Sequence, residues 1–314
     1  MLNKKMLIAI PTYNRPEIVK YFLDKLANYI NNCTNLYLGF YDSSSNDETE
    51  KTVRPFLNEK ITYKRYNKGF SEEKGYDILL TEGSKYDYIW FSSDRKVLKL
   101  DTIIPMIADD INHGIDLILF SNNRINKEKQ EISSLFEVGL QFFEIVNLSK
   151  TIIGRRAISH MSIHDVYWKY IGSHFALQAA LVDFCGCNDF VGVQYKLRDQ
   201  EIAETGSIPF VHEWGETAVW QWSKSWCDTV EKLPNSYSDI KEQVIHQNHM
   251  FSFKKVLARR ASGTEFYNRD INKYKTYIKR INKNLFPLYF AKCFPAVILR
   301  IPYKTYKRIK NLTA

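Results

Sequence analysis

Within the first 120 residues, short apolar runs alternate with amphipathic segments, and the runs end in polar clusters. A five-residue apolar run reads as a strand buried on both faces. An amphipathic segment between two such runs reads as the crossover helix that lets them pair in parallel. Strands are predicted over 6–10, 36–41, 61–66, 86–91 and 117–120. Helices are predicted to begin near Pro16, Asp47, Ser71 and Asp101, with Pro16 at a first helical position and the other three capping exposed backbone N–H groups. The expected fold class is α/β, a mostly parallel sheet flanked by helices.

From about residue 131 to 233 the pattern turns helical and aromatic, and it includes Trp214, Trp220, Trp222 and Trp226. A polar stretch over 234–239 then leads into a basic, helix-like extension. Boundaries are therefore expected at 1–125, 126–233 and 234–314. The net charge of +9 is unevenly spread: residues 251–314 hold 16 Lys or Arg against Glu265 and Asp270, so the rest of the chain is net acidic and the partner of the basic charge belongs to the tail. Five cysteines without paired metal-site spacing read as reduced thiols of a cytoplasmic protein, with Cys185-Gly186-Cys187 at a turn. No leader-length apolar run follows Met1, and no uninterrupted run has the roughly 18–20 apolar residues of a spanning helix.

In open α/β sheets ligands bind beyond the carboxyl ends of the strands. Beyond the first strand lies Pro11-Thr12-Tyr13-Asn14-Arg15-Pro16, either a cradle for a base or phosphate or an ordinary βα turn. The second ends in Asp42-Ser43-Ser44-Ser45-Asn46-Asp47, where Asp42 suits a nucleobase imide or ribose hydroxyl, or else caps the next helix. Asn67-Lys68-Gly69 follows the third: Gly69 permits close backbone approach and Lys68 offers a cation to phosphate, although taken alone these residues fit a simple turn better. The fourth ends in Ser92-Ser93-Asp94, whose carboxylate suits a hard divalent cation, with Arg95 and Lys96 next.

Taken together and in this order, the four segments resemble the nucleotide-binding half of the family-two GT-A glycosyltransferases, of the kind that build bacterial envelope or capsular polysaccharide. The resemblance covers about the first 100 residues. Asp42-Ser43-Ser44-Ser45-Asn46-Asp47 stands where the family has Asp-Gly-Ser-Thr-Asp, and Ser92-Ser93-Asp94 stands at the DXD position with two acids replaced. It implies a GT-A fold that takes a nucleotide-sugar donor, with UDP-sugar expected. Thr12, Tyr13 and Asp42 are then expected on the nucleoside. Pro11, Arg15, Ser43, Asn67, Lys68, Gly69, Ser92 and Ser93 would line the donor site, and Asp94 would meet Mn²⁺ or Mg²⁺ on the diphosphate. Val211-His212-Glu213-Trp214-Gly215-Glu216-Thr217 resembles the family's Trp-Gly-Glu-Asp acceptor motif with Thr217 for Asp, which makes Glu213 and Glu216 candidate bases. Asp183, Asp189 and Asp199 are rivals.

Residues 285–303 are apolar but interrupted by Lys292, Arg300 and three prolines, with further basic residues on both sides. This pattern suits the surface of an anionic membrane rather than a span across it, and it is too apolar for a nucleic-acid arm. The expected acceptor is a glycan, on a polyprenyl carrier if the tail holds the chain on the inner face of the cell membrane. Two other functions fit less well. A sugar nucleotidyltransferase needs a Gly-rich phosphate loop that residues 11–16 lack, whereas a non-catalytic scaffold of the same fold would explain the altered DXD position.

Overall fold

A computed structural model of the protein describes residues 1–67, 72–94, 96–121, 127–135, 142–145, 148–205, 218–261, 266–293 and 298. Residues Met1–Ile208 and Pro209–Ala314 form two compact units.

In the first unit the apolar runs become strands β1 (Met6–Thr12), β2 (Leu36–Asp42), β3 (Ile61–Arg65), β4 (Tyr88–Phe91) and β6 (Leu117–Ser121). The short β5 (Lys96–Leu98) lies between β4 and β6 and pairs antiparallel with β10 (Ala203–Thr205) outside the main sheet. That sheet runs β3-β2-β1-β4-β8-β6-β9-β7, completed by β7 (Lys129–Ile132), β8 (Thr151–Gly154) and β9 (Gly192–Lys196). The β1–β2, β1–β4, β2–β3 and β6–β9 pairs are parallel. By contrast, β8 runs antiparallel to both β4 and β6, and β7 antiparallel to β9. Strands β7 to β9 lie within the region that the sequence pattern assigns to helices. Polar residues interrupt them, as in Lys129-Gln130-Glu131-Ile132 and Gly192-Val193-Gln194-Tyr195-Lys196, so they do not read as continuous apolar runs.

Parity along the strands sets the two faces. Met6, Ile8, Ile10, Leu38, Phe40 and Trp90 join one core with helices α1 (Pro16–Asn32) and α4 (Leu100–His113). The alternate residues Leu7, Ala9, Ile89 and Phe91 are buried as well, so the central strands have no solvent face and read as continuous apolar runs. Helix α1 starts with Pro16 and buries Val19, Phe22, Leu23, Leu26, Ala27 and Ile30, the spacing of one helical stripe. Side-chain capping is weaker than expected. Asp47 precedes α2 (Glu48–Val53) without a capping bond, α4 begins at Leu100 so that Asp101 lies in its first turn, and Ser71 lies outside the described residues. Helix α3 (Glu72–Glu82) packs with the helices Arg155–Met161 and Ala176–Cys187.

The described part of the second unit is helical, from Ala218–Trp220 to Phe286–Cys293. Its core includes Trp226, Tyr237, Ile245, Val256, Ile278 and Leu288. Arg280 is bonded to both Glu231 and Glu242, which ties three segments of this unit together. Among the described residues, no helix is long and apolar enough to cross a membrane.

Gly154 ends β8 where a Cβ would sit 2.8 Å from the Ile115 carbonyl oxygen and 3.0 Å from that of Asp116, both backbone atoms with no room to yield. Gly154→Ala is expected to lower stability by about 1–3 kcal/mol, read from the urea midpoint.

Candidate active site

The parallel strands deliver four polar ends side by side. Thr12 is in register with Asp42 at the ends of β1 and β2, and the Ser43 N–H donates to the Thr12 carbonyl at 3.1 Å. Arg65 closes β3 opposite Asp42, and the Tyr66 N–H donates to the Asp42 carbonyl at 2.7 Å. On the other side, the Ser92 N–H donates to the Ala9 carbonyl at 3.0 Å, which carries the chain from β4 directly to Asp94. The turn beyond β1 is pinned across this edge. Asn14 adopts a left-handed φ of 49°, its N–H donates to Ser44 Oγ at 2.7 Å, and its Oδ1 accepts the Ser45 N–H at 2.9 Å.

Asp42 is 0% exposed and Asp94 2%, so each carboxylate has to be satisfied by protein groups or by a ligand. Asp42 Oδ1 accepts the Ser44 N–H at 2.9 Å as well as the Ser44 hydroxyl, and Oδ2 accepts the Tyr63 hydroxyl at 2.7 Å. Three of roughly four acceptor positions are therefore filled. Burial, with the neighbouring Asp42, pushes the Tyr63 phenol well up, so it remains a donor. Asp42 thus shapes the loop after β2 through its own Ser44 N–H, and it does not cap α2. Asp94 is held by Thr12 Oγ1 on Oδ2 and by Arg15 Nη1 on Oδ1, both at 2.9 Å.

Lys74, in the first turn of α3, is one site residue that the sequence pattern did not single out. In a polar run, Glu72-Glu73-Lys74-Gly75, it reads as a solvated face, yet it is only 3% exposed. Its ammonium donates to Ser43 Oγ at 2.7 Å and to the Tyr41 carbonyl at 3.3 Å, directly behind Asp42. Burial pushes it down to about 8, against the fields of Asp42 and Asp94, which raise it. The first turn of α3 is itself anchored: the Glu72 carboxylate accepts the N–H groups of Gly172 at 2.6 Å and Ala176 at 2.8 Å.

Pro11, Thr12, Tyr13, Arg15, Asp42, Ser43 and Asp94 are thus all drawn to one edge, with Tyr13 and Arg15 half-buried at its rim. Asn67 is exposed just beyond β3, whereas Lys68 and Gly69 lie outside the described residues. Ser92 and Ser93 divide. Ser92 is fully buried and its Oγ pairs with Ser149 Oγ at 3.1 Å, while Ser93 is half-exposed. Ser92 therefore faces the core and does not line the site. Glu213 and Glu216, together with Trp214, also lie outside the described residues. Trp226 is fully buried and Trp222 packs 6.1 Å from it inside the second unit. Of the rival acids, Asp183 is held by Lys169 at 2.9 Å and Tyr170 at 2.6 Å, which accounts for it as an internal ion pair. Cys185-Gly186-Cys187 forms the end of the helix Ala176–Cys187 rather than a connecting turn, and burial pushes both thiols up.

No group of three or more His, Cys, Asp or Glu side chains able to hold a metal occurs among the described residues. A divalent cation at this edge would find one carboxylate, Asp94, already countered by Arg15. Mg²⁺ and Mn²⁺ do bind in that way, through one carboxylate with substrate phosphates and water supplying the remaining oxygens, and the donor set fits only this mode.

Because Lys74 is shifted down, its linkage to stability has a definite sign. Below about pH 8 the folded and unfolded chains both carry its proton, and the cost of burial is paid in full. Between about 8 and ~10.4 only the unfolded chain holds the proton, so stability rises with pH. Across that window the wild type is expected to gain on the order of 2 kcal/mol relative to Lys74→Met, measured as the difference between paired denaturation midpoints.

No family model matches the sequence, and no curated protein matches it. Solved structures do resemble the fold. A crystal structure of S. aureus TarS residues 1–349 superposes with a TM-score of 0.57 at 14% identity, covering 97% of this chain and 91% of that one. The same fragment in complex with UDP gives 0.55 at 13% identity, over 97% and 91%. Its complex with UDP-GlcNAc gives 0.51 at 14% identity, over 97% and 92%. At such identities the likeness establishes architecture: the chain has an α/β fold of the GT-A type, as the order of its strand ends implies.

Proposed function

We propose that this chain is a glycosyltransferase that moves a sugar from a nucleotide diphosphate, a UDP-sugar by preference, to a glycan acceptor in envelope or capsular polysaccharide synthesis. The observation that carries the reading is the Thr12–Asp94–Arg15 cluster beside the Asp42–Tyr63 pair, on one edge where parallel strands end. In this reading Asp42 accepts from a nucleobase N–H or a ribose hydroxyl. Lys74 fixes the Ser43 side of that contact while its buried charge offsets the two carboxylates. Arg15, oriented by Asp94, presents its guanidinium to the diphosphate, where a positioned cation lowers the energy of developing negative charge.

Mn²⁺ or Mg²⁺, held by Asp94 and the donor phosphates, would supply further charge compensation for the leaving diphosphate. In the transfer, the acceptor oxygen forms a bond to the anomeric carbon, the bond from that carbon to the diphosphate oxygen breaks, and the acceptor proton passes to a carboxylate. Glu213 and Glu216 are the proposed bases. Attack opposite the leaving group makes the reaction inverting.

A second reading, a non-catalytic scaffold that binds donor without turning it over, draws on Ser92 and Ser93, which stand where the resemblance expects acids, with Ser92 turned to Ser149 in the core. Release of nucleoside diphosphate from a panel of nucleotide sugars, with Mn²⁺, Mg²⁺ or EDTA, separates the two. The transferase reading expects metal-dependent release that falls about 100-fold in Asp94→Asn and in Asp42→Asn. Thermal stabilisation by a donor with no release from any of them would select the scaffold.

A further inference from the structure

The helix Phe286–Cys293 carries aromatic rings on its outer side as well as apolar residues on its inner one. Pro287, Leu288 and Ala291 face inward and are buried, whereas Phe286 on the opposite side is 57% exposed and Tyr289 is exposed beside it. A short surface helix normally presents polar groups to water, and an outer face of this kind marks an interaction surface. The face does not end with its own helix. Phe253, 43% exposed at the start of the helix Phe253–Ala261, stacks on Phe286 with centroids 6.3 Å apart and planes 5° apart, and Phe290 lies 5.3 Å from both rings. Two segments more than 30 residues apart thus build one aromatic patch within the second unit.

The patch is set among cations. Lys254, Lys255, Lys283 and Lys292 are exposed on the segments that carry the rings. Residues 251–314 have only Glu265 and Asp270 to oppose 16 basic residues. Apolar rings surrounded by lysines match the chemistry of an anionic bilayer, with acyl chains for the rings and phosphate headgroups for the ammonium groups.

We infer that Phe253, Phe286 and Phe290, with the lysines around them, form a docking surface for an anionic lipid bilayer. It requires no spanning helix, and because it is discontinuous in sequence it exists only when the second unit is folded. The inference does not depend on the transferase reading: lipid binding is measured with no donor present, so either can fail while the other stands.

The test is co-sedimentation of the full chain with phosphatidylcholine vesicles, with and without phosphatidylglycerol. Wild type is expected to bind the phosphatidylglycerol vesicles at least about tenfold more tightly than the neutral ones. The exposed pair Phe253→Ser with Phe286→Ser is expected to lower binding about tenfold while the thermal midpoint holds. Lys283→Glu with Lys292→Glu, a surface change that leaves the rings in place, is expected to abolish the preference for the anionic lipid. Absence of wild-type binding, or undiminished binding by the folded Phe variant, overturns the inference. So does a dimer in sedimentation that the Phe variant dissolves while vesicle binding is absent, which would make a second copy of the chain the occupant.

Discussion

A buried carboxylate imposes its demands on everything around it, and Asp94 is the one on which this protein is built. With only 2% of its surface in contact with water, it draws Thr12 from the end of β1 and Arg15 from the turn that follows. Those two contacts hold the β1 turn against the end of β4. The Asn14 bonds to Ser44 and Ser45 then bring the β2 loop to the same place, and Asp42 and Lys74 balance each other beneath it. Removing one partner from such a set leaves an uncompensated buried charge, which costs far more than the pair contributes. This edge is therefore a cooperative unit rather than a row of independent contacts.

The first half of the chain was legible because its central strands are buried on both faces. The runs Met6–Pro11 and Leu36–Tyr41 are apolar at almost every position, and each stops at a polar residue, Thr12 or Asp42, so the polar ends lie where the pattern changes. The GT-A architecture followed from the order of those ends. Strands β8 and β9 were not legible, because their stability comes from non-local pairing with β4 and β6. Thr151–Gly154 alone carries no period. Ser92 was misplaced for a related reason: its direction depends on Ser149, 57 positions away.

Lys74 was illegible in a different way. Burying an ammonium is costly enough that a lysine between glutamates and a glycine reads as a surface group. Only the spatial meeting of Ser43, the Tyr41 carbonyl and two acids makes the position tenable. The second unit shows the opposite relation. Its basic, apolar tail was conspicuous in the sequence, but the contribution of Phe253 was not, since the stacking on Phe286 requires two helices to have packed first.

The hold of Ser149 on the end of β4 limits what position 92 can accept. The Trp90 indole N–H donates to the Ser149 carbonyl at 3.1 Å, and the Ser92 hydroxyl sits against the Ser149 hydroxyl, both fully inside. An aspartate at position 92 would bring a second negative charge into a space sized for a hydroxyl and furnished with a single hydroxyl partner. The position therefore accepts a small hydroxyl far more readily than a carboxylate. Half-exposed Ser93 is not enclosed in that way.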